Sequence, residues 1–292
     1  MIIKKRKITE PYNRQKVYTT MQEVPDFIYA GAYLDSNGFV NFDWTTDKYK
    51  RDIVALTSKK QGTFNREDVR YVYGYEYLDK ATAREIKQFR QYVKNLGMGY
   101  DLWNENPDHD VEEFIERAIF NFDRIYDLKS FGATVHIEST KQNSVVSYMA
   151  GVIADIADNA QIGFKLIKKM YSDVTFNMQK AFEVMKSSGK YASDNEIYDF
   201  LNAAQNRFES LKKSNRLFEM KKFVPRELRE GFENYLEFKT PQEKWVYEQL
   251  QGIDVLIFDD FLTSGATVKE IIRYLKSIND NNTLTVFVLV KQ

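Results

Sequence analysis

The sequence has no cysteine and only two histidines. The absence of cysteine excludes disulfide bonds and thiolate chemistry, and two histidines argue against a metal site rich in imidazole. No apolar run approaches the length of a membrane span, and the basic N-terminal stretch MIIKKRKITEPYNRQ lacks the apolar core of a signal peptide. These absences favour a cytoplasmic protein with no membrane partner.

Neither sign of charge is in excess, because 42 lysines and arginines balance 42 aspartates and glutamates. A chain without net charge has no global field that draws it to nucleic acid or to an anionic membrane, and we find no clear nucleic-acid patch. With only five prolines, few positions mark breaks between helices and strands, and we find no internal repeat or low-complexity linker. At 292 residues the chain can form one large domain or two small ones.

The first part of the chain, residues 1–128, predicts an α+β region. An Asn-Gly pair at 37–38 separates two β-rich runs, as in a tight hairpin. The alternating run VRYVYGYEYL at 69–78 predicts a further strand. Apolar residues at helical spacing predict helices at about 82–95 and 111–126.

The second part, residues 129–292, alternates strand and helix, which is typical of an α/β parallel sheet flanked by helices. The predicted strands include ATVHIEST, IGFKLIKK, EGFENYLEF and TLTVFVLV. The last of them is apolar on both faces, as a central parallel strand is. A charged stretch at about 171–222 predicts a helical insertion. His136, on the first of these strands, is interpreted as a satisfied core histidine rather than a catalyst.

One stretch near the end of the chain, DVLIFDDFLTSGATVKEIIRYL, joins a strand to a helix. Its apolar residues 255–258 predict a buried strand, with Asp259 and Asp260 at its mouth. The small residues at 263–267 then bring amides and hydroxyls to a helix N-terminus, which makes a phosphate cradle. Two carboxylates would repel a bare phosphate, so they predict sugar hydroxyls or a magnesium ion as partners. The plainer interpretation is that the acids only cap the helix.

The full pattern is four apolar residues, two acids, two variable residues and Thr-Ser-Gly-Ala-Thr. It resembles the 5-phosphoribosyl-1-pyrophosphate (PRPP) signature of type I phosphoribosyltransferases. The resemblance implies that family's fold, a parallel sheet flanked by helices. It implies that Asp259 and Asp260 bind the ribose hydroxyls and, together with PRPP, the cofactor Mg²⁺. It further implies that the loop cradling the 5′-phosphate consists of Thr263, Ser264, Gly265, Ala266 and Thr267.

In the same family the first core strand ends in a loop that receives the pyrophosphate. ATVHIEST followed by KQNS has that layout, so the resemblance makes Ser139 and Thr140 substrate-binding residues and Lys141 a catalytic cation. An ordinary solvated loop lysine is the alternative for Lys141. Many members also close a mobile basic loop over the site, and the segment at 221–232 precedes a strand at the corresponding place. Its alternative is a solvated helix face.

The order of segments over about residues 70–292 is also similar to competence protein F (ComF)-like phosphoribosyltransferases. That family usually begins with a cysteine zinc ribbon, and this chain has no cysteine. The long insertion beginning near residue 171 is a second departure. If the resemblance holds, residues 1–128 or the insertion supply the hood that selects the base.

The resemblance implies a glycosyltransferase of nucleotide metabolism that moves a phosphoribosyl group from PRPP to an unidentified nucleobase and releases pyrophosphate. Asp259, Asp260 and Lys141 are its expected catalytic residues. The alternative is a non-catalytic module that senses PRPP or a nucleotide, or binds a partner in DNA uptake or processing. A PRPP synthetase-like diphosphotransferase is disfavoured because that enzyme needs two similar domains. A homodimer and a complex with another protein both remain open.

Overall fold

The fold is known from a computed structural model, which describes residues 31–34, 40–43, 54–56, 62–66, 69–77, 81–94, 107–139, 144–223, 225–262 and 265–291. The turn predicted at 37–38 lies outside the described residues. The strands on either side of it, β1 (Gly31–Leu34) and β2 (Val40–Asp43), pair antiparallel. The prediction of two paired strands is therefore confirmed.

The remaining strands are β3 (Val54–Leu56), β4 (Gly62–Arg66), β5 (Val69–Tyr77), β6 (Ala133–Ile137), β7 (Ile162–Lys168), β8 (Thr175–Phe176), β9 (Phe232–Glu233), β10 (Leu236–Phe238), β11 (Asp254–Leu262) and β12 (Thr283–Lys291). Ten of the described strands form one sheet in the order β10-β7-β6-β11-β12-β5-β3-β1-β2, with β4 beside β5. Strands β8 and β9 form a separate small pair.

The helices are α1 (Ala83–Lys94), α2 (Pro107–Tyr126), α3 (Val145–Ile156), α4 (Met178–Ser187), α5 (Asp194–Lys212), α6 (Pro241–Gln249) and α7 (Ala266–Ile278). Their starts follow local capping chemistry. The Ser144 hydroxyl accepts the Ser147 N–H before α3, and Thr240 and Glu243 form a reciprocal capping box at α6.

The centre of the sheet is parallel. Strand β11 pairs in parallel with β6 on one side and β12 on the other, while β7 and β5 extend the parallel part at its two edges. Antiparallel β10 closes one side, and β3 and β4 are antiparallel to β5. The predicted α/β class and the central position of β12 are confirmed. The carboxyl ends of β5, β12, β11, β6 and β7 therefore lie along one edge, where ligands bind in such sheets.

Helices cover both faces of this sheet. Alternate residues of β11 divide between two apolar cores, Val255 and Ile257 in one, Leu256 and Phe258 in the other. The first core also contains apolar residues of α4, α5, α6 and α7, and the second contains those of α1, α2 and α3. The period of two in a strand produces this division, because successive side chains point to opposite faces.

The N-terminal and C-terminal parts of the chain share one sheet. Strand β5, from the predicted region 1–128, pairs with β12 from the region 129–292, with Val72 opposite Phe287. A Cβ built on Gly74 would lie 2.6 Å from the Ala118 Cβ, so β5 and α2 are in close contact. The division of the chain at residue 128 stays a prediction.

Two strand predictions need correction. The motif strand was expected to end at Phe258, but β11 continues to Leu262 because its backbone keeps pairing with β12 as far as Lys291. The stretch EGFENYLEF was expected to be one strand. It forms β9 and β10 instead, because Asn234 between them has a positive φ of 60°, which turns the chain.

Most of the predicted insertion at 171–222 is helical, although it also contains β8. Helices α4 and α5 carry most of it, and Phe208 of α5 is buried in the same apolar core as Phe218, which follows that helix. The Ser193 hydroxyl caps α5 by accepting the Glu196 N–H. Among the described helices, none has both the length and the apolar composition needed to cross a bilayer.

Candidate functional site

The two acids of the motif lie in the last part of β11, at the carboxyl edge of the parallel strands. Asp259 stands opposite Val288 of β12 in the ladder. The Asp259 Oδ1 accepts the Asp260 N–H at 2.9 Å, and the Asp260 Oδ1 accepts the Phe261 N–H at 2.7 Å. These bonds fix both carboxylates against the strand, so the acids are held on a rigid element rather than on the loop that follows it.

Asp260 is paired with a lysine that the sequence did not connect to the motif. The Lys94 ammonium, from the last turn of α1, lies 2.6 Å from the Asp260 Oδ2. Lys94 and Arg90, four residues apart on α1, both lie 5.3 Å from the centre of the Phe261 ring. Helix α1 therefore brings two cations close to the acid pair, both over the aromatic ring that directly follows it.

The pKa of Asp259 is strongly perturbed. Burial raises the pKa of Asp259 to about 7, with a further contribution from the charge of Asp260, while Lys94 and Lys168 act in the opposite direction. At neutral pH a fraction of this carboxyl is protonated. A bound cation would favour the ionised form, which is how metal ligands with raised pKa values respond.

Lys168, the last residue of β7, belongs to the same group of charges. Its pKa is lowered mainly by loss of hydration, and the charges of Asp259 and Glu219 oppose that effect while Lys221 and Lys94 add to it. These influences place Lys168 among residues from β11, α1 and the insertion. Sequence reasoning missed it, although a lysine at the end of a predicted parallel strand is a usable signal, because all such ends share one edge of the sheet.

Helix α7 begins after the predicted phosphate loop. Gly265 has a left-handed backbone (φ 77°), and its carbonyl accepts the Lys269 N–H at 2.9 Å. A Cβ there would meet only the Leu262 Cδ1 at 3.6 Å, so a side chain is opposed by the backbone conformation and not by lack of space. Thr263 and Ser264 lie outside the described residues.

The other two members of the predicted cradle, Ala266 and Thr267, are both hydrogen-bonded to Tyr235. The Ala266 carbonyl accepts the Tyr235 hydroxyl at 3.2 Å. Burial raises the pKa of Tyr235, and a hydrogen bond with the Thr267 side chain partly offsets that rise. The Thr267 hydroxyl is therefore engaged within the fold, while the amides of this first turn remain the groups suited to an anion.

The second predicted loop starts beside the motif strand. Val135 of β6 is the ladder partner of Ile257 in β11, so Ser139 follows β6 at the same edge as the acids. Thr140 and Lys141 lie outside the described residues, and their predicted roles stay predictions. The structure brings together the starts of the two loops that the sequence assigned to one ligand.

His136 lies in the core, stacked on Phe258 with ring centres 4.9 Å apart. Burial, with the charge of Lys165, lowers the pKa of His136 to about 4, although Glu138 opposes the shift. Within the described part of the chain its Nδ1 has no hydrogen-bond partner. The core location agrees with the sequence interpretation, but the expectation of a satisfied histidine was wrong for this nitrogen.

The basic segment expected to close over the site forms short 3₁₀ turns at 220–222 and 226–231. Lys221 and Lys222 both pair with Glu219, at 3.3 and 3.2 Å. The Arg229 Nε donates to the Phe223 carbonyl at 3.0 Å. Burial lowers the pKa of Arg229, and the charges of Arg226 and Arg90 lower it further, which brings this segment within electrostatic reach of α1.

Among the described residues, no group of three or more histidine, cysteine or acidic side chains can hold a metal ion. Two adjacent carboxylates nevertheless suit Mg²⁺ when a ligand supplies the other oxygens. Mg²⁺ keeps several waters and is usually bound through one or two carboxylates and substrate phosphates. Asp259 and Asp260 fit that form of binding.

No family model matches the chain, and a search of curated proteins finds no significant relative. The arrangement of side chains at the edge of the sheet therefore carries the functional argument.

Proposed function

We propose that the chain binds PRPP together with Mg²⁺ and transfers the phosphoribosyl group to a nucleobase or a similar nucleophile, as type I phosphoribosyltransferases do. One observation carries the proposal. An acid pair at the end of a central parallel strand lies directly before a helix opened by a left-handed glycine, with cations around it. Sugar hydroxyls and several phosphates on one small ligand match this combination of charges.

In this proposal Asp259 and Asp260 accept hydrogen bonds from the ribose hydroxyls and provide carboxylate oxygens for Mg²⁺. The amides of the loop 263–267 hold the 5′-phosphate at the start of α7. Ser139, Thr140 and Lys141 receive the pyrophosphate, and Lys168 adds a second cation at that edge. Bound Mg²⁺ would supply charge neutralisation for the diphosphate.

The reaction is a displacement at the anomeric carbon. A nitrogen lone pair of the acceptor forms the new C–N bond while the C–O bond to the diphosphate breaks. The bonding pair leaves with the diphosphate, and a proton on the attacking nitrogen, where there is one, passes to water. Positive charge develops on the sugar, so the chain acts by positioning and electrostatics, and none of its side chains becomes covalently bound.

A second function is favoured by the Lys94–Asp260 ion pair. Because Lys94 neutralises one acid without any ligand, the pair is also suited to a stable, non-catalytic module. Such a module would sense PRPP or a nucleotide, or bind a partner in DNA uptake or processing. Ligand binding without turnover distinguishes it from the transferase.

Calorimetry with and without Mg²⁺ tests the proposal. PRPP should bind the parent protein only with the metal, because its negative charges otherwise face the two acids unscreened. Replacing both acids, Asp259→Asn with Asp260→Asn, should weaken binding by roughly 2–4 kcal/mol through loss of charge-assisted hydrogen bonds. The matched control is Asp254→Asn, an exposed acid at the other end of β11, which should bind as the parent does.

If PRPP does not bind the parent protein, the transferase proposal fails. If it binds, pyrophosphate release is measured across purine, pyrimidine and pyridine bases. Release with one class identifies the enzyme. Binding with no release for any base identifies the sensor.

A further inference from the structure

Two hydrogen-bond donors beside the acid pair lack acceptors in the described part of the chain. Arg90 is half-buried over the Phe261 ring, and it forms no ion pair with any described carboxylate. The Tyr77 hydroxyl, at the end of β5, is buried and has no hydrogen-bond partner among the described residues. Buried donors are almost always satisfied in folded proteins, so the unmatched Tyr77 hydroxyl, with a half-buried arginine near it, indicates a missing acceptor.

These donors form one small cluster. The Tyr77 ring packs edge-on against Phe89 at 6.2 Å, Phe89 packs edge-on against Phe261 at 6.4 Å, and Arg90 lies over Phe261. The charges of Arg90 and Asp260 both act on the Tyr77 hydroxyl. The cluster thus adjoins Asp260, with aromatic rings on its inner side.

The order of strands puts this cluster on a particular side of the motif. The loop proposed for pyrophosphate follows β6 on one side of β11, whereas β12 and β5, with Tyr77, lie on the other. In a displacement at the anomeric carbon the acceptor enters opposite the leaving group. The acceptor should therefore approach from the side of β5 and α1.

We propose that Arg90 and Tyr77 form the acceptor subsite, and that the acceptor is a flat heteroaromatic ring bearing a carboxylate. This inference rests on the proposed function. A guanidinium binds a carboxylate through two parallel hydrogen bonds, and a tyrosine hydroxyl can donate a third. Lys94, one turn from Arg90 on α1, adds a second positive charge nearby, which lowers the repulsion that a second anion meets.

The same geometry selects against neutral rings. A base without the acid group would leave the Arg90 guanidinium and the Tyr77 hydroxyl desolvated and unpaired. Sites built to hydrogen-bond a substrate group reject analogues that lack it, because their own polar groups then remain unsatisfied. The subsite therefore sets which class of base is used, and the acid pair and phosphate loop do not.

The test compares ring acids with neutral partners: orotate with uracil, and nicotinate with nicotinamide. Equilibrium binding is measured by calorimetry with and without Mg²⁺ and PRPP, and pyrophosphate release is measured for each ring. The parent should bind at least one acid about tenfold or more tightly than its partner, as charge-assisted hydrogen bonds allow. Arg90→Gln should remove that preference while leaving PRPP binding within about twofold.

Tyr77→Phe deletes only the hydroxyl and should lower the preference severalfold. Arg84→Gln, an exposed arginine on the same helix, is the matched control and should change nothing. If PRPP binds but no acid is preferred, or if Arg90→Gln affects acid and neutral rings equally, the subsite is overturned while the proposed function stands. Acids that bind through Arg90 to a protein that does not bind PRPP overturn the transferase and the acceptor role together.

Discussion

At the scale of single residues, Asp259 links stability to the proposed function. Its pKa rises from 3.8 to about 7 on folding. Between these two values the folded protein binds more protons than the unfolded chain, so the stabilisation is present at low pH and is lost as pH rises towards 7. A carboxyl that weakens the fold when ionised is typical of groups retained for binding or catalysis.

We therefore expect Asp259→Asn to be more stable than the parent at pH 8 by about 2 kcal/mol. A tenfold change in proton affinity corresponds to about 1.4 kcal/mol, and partial exposure of the side chain reduces the full effect. The gain should disappear near pH 4. Urea unfolding of both proteins at the two pH values measures it, with Asp254→Asn as control. An equal gain at both pH values would mean that ionisation of Asp259 does not cause it.

At the scale of elements, the basic 3₁₀ turns at 220–222 and 226–231 should respond to the ligand. The charge of Arg90 lowers the pKa of Arg229, so this segment lies within electrostatic reach of α1, and a bound polyanion would attract its basic residues. Trypsin cleavage at Arg226 and Arg229 should slow when Mg²⁺ and PRPP are added together. Cleavage at Lys213, after the end of α5, serves as the internal control. Calorimetry under the same conditions shows whether PRPP is bound. If it is bound, and cleavage at Arg226 and Arg229 is as fast as without ligand while cleavage at Lys213 is also unchanged, the segment lies outside the site.

Helices and strands with a local sequence pattern could be predicted from the sequence. Features that depend on pairing between distant parts of the chain could not. The helix predicted at about 82–95 is α1 (Ala83–Lys94), because its apolar residues recur at helical spacing. The length of β11 was underestimated, since two charges end the apolar run while the ladder with β12 continues. The same distinction holds in the site. The acid pair lies within one sequence motif and could be predicted. The Lys94–Asp260 ion pair could not, because it joins α1 to a strand far away in the sequence.

At the scale of the whole molecule, the sheet joins parts of the chain that the sequence separates. Phe287 and Leu289 of β12 belong to the core that α1 and α2 cover, and β5 lies along one side of β12. A chain of residues 129–292 alone would expose these side chains and leave β12 as an edge strand. Long apolar edge strands promote association between chains.

We expect that fragment not to unfold cooperatively as a monomer. Thermal unfolding and sedimentation of residues 129–292 against the full chain measure this, and co-expression with residues 1–128 should restore a cooperative transition. A monomeric fragment with its own sharp transition would show instead that the division at residue 128 marks two independent domains.

In the ion pair with Asp260, Lys94 occupies the position that a cation bound with the ligand would take. The lysine side chain is 43% exposed, and pairs of that kind contribute about 0–1 kcal/mol. The charge of Asp260 is thus balanced by a cation that can leave at small cost. An incoming ligand exchanges one counter-ion for another and need not first separate a strong pair. The released ammonium stays tethered at the rim of the site, close enough to return when the ligand departs.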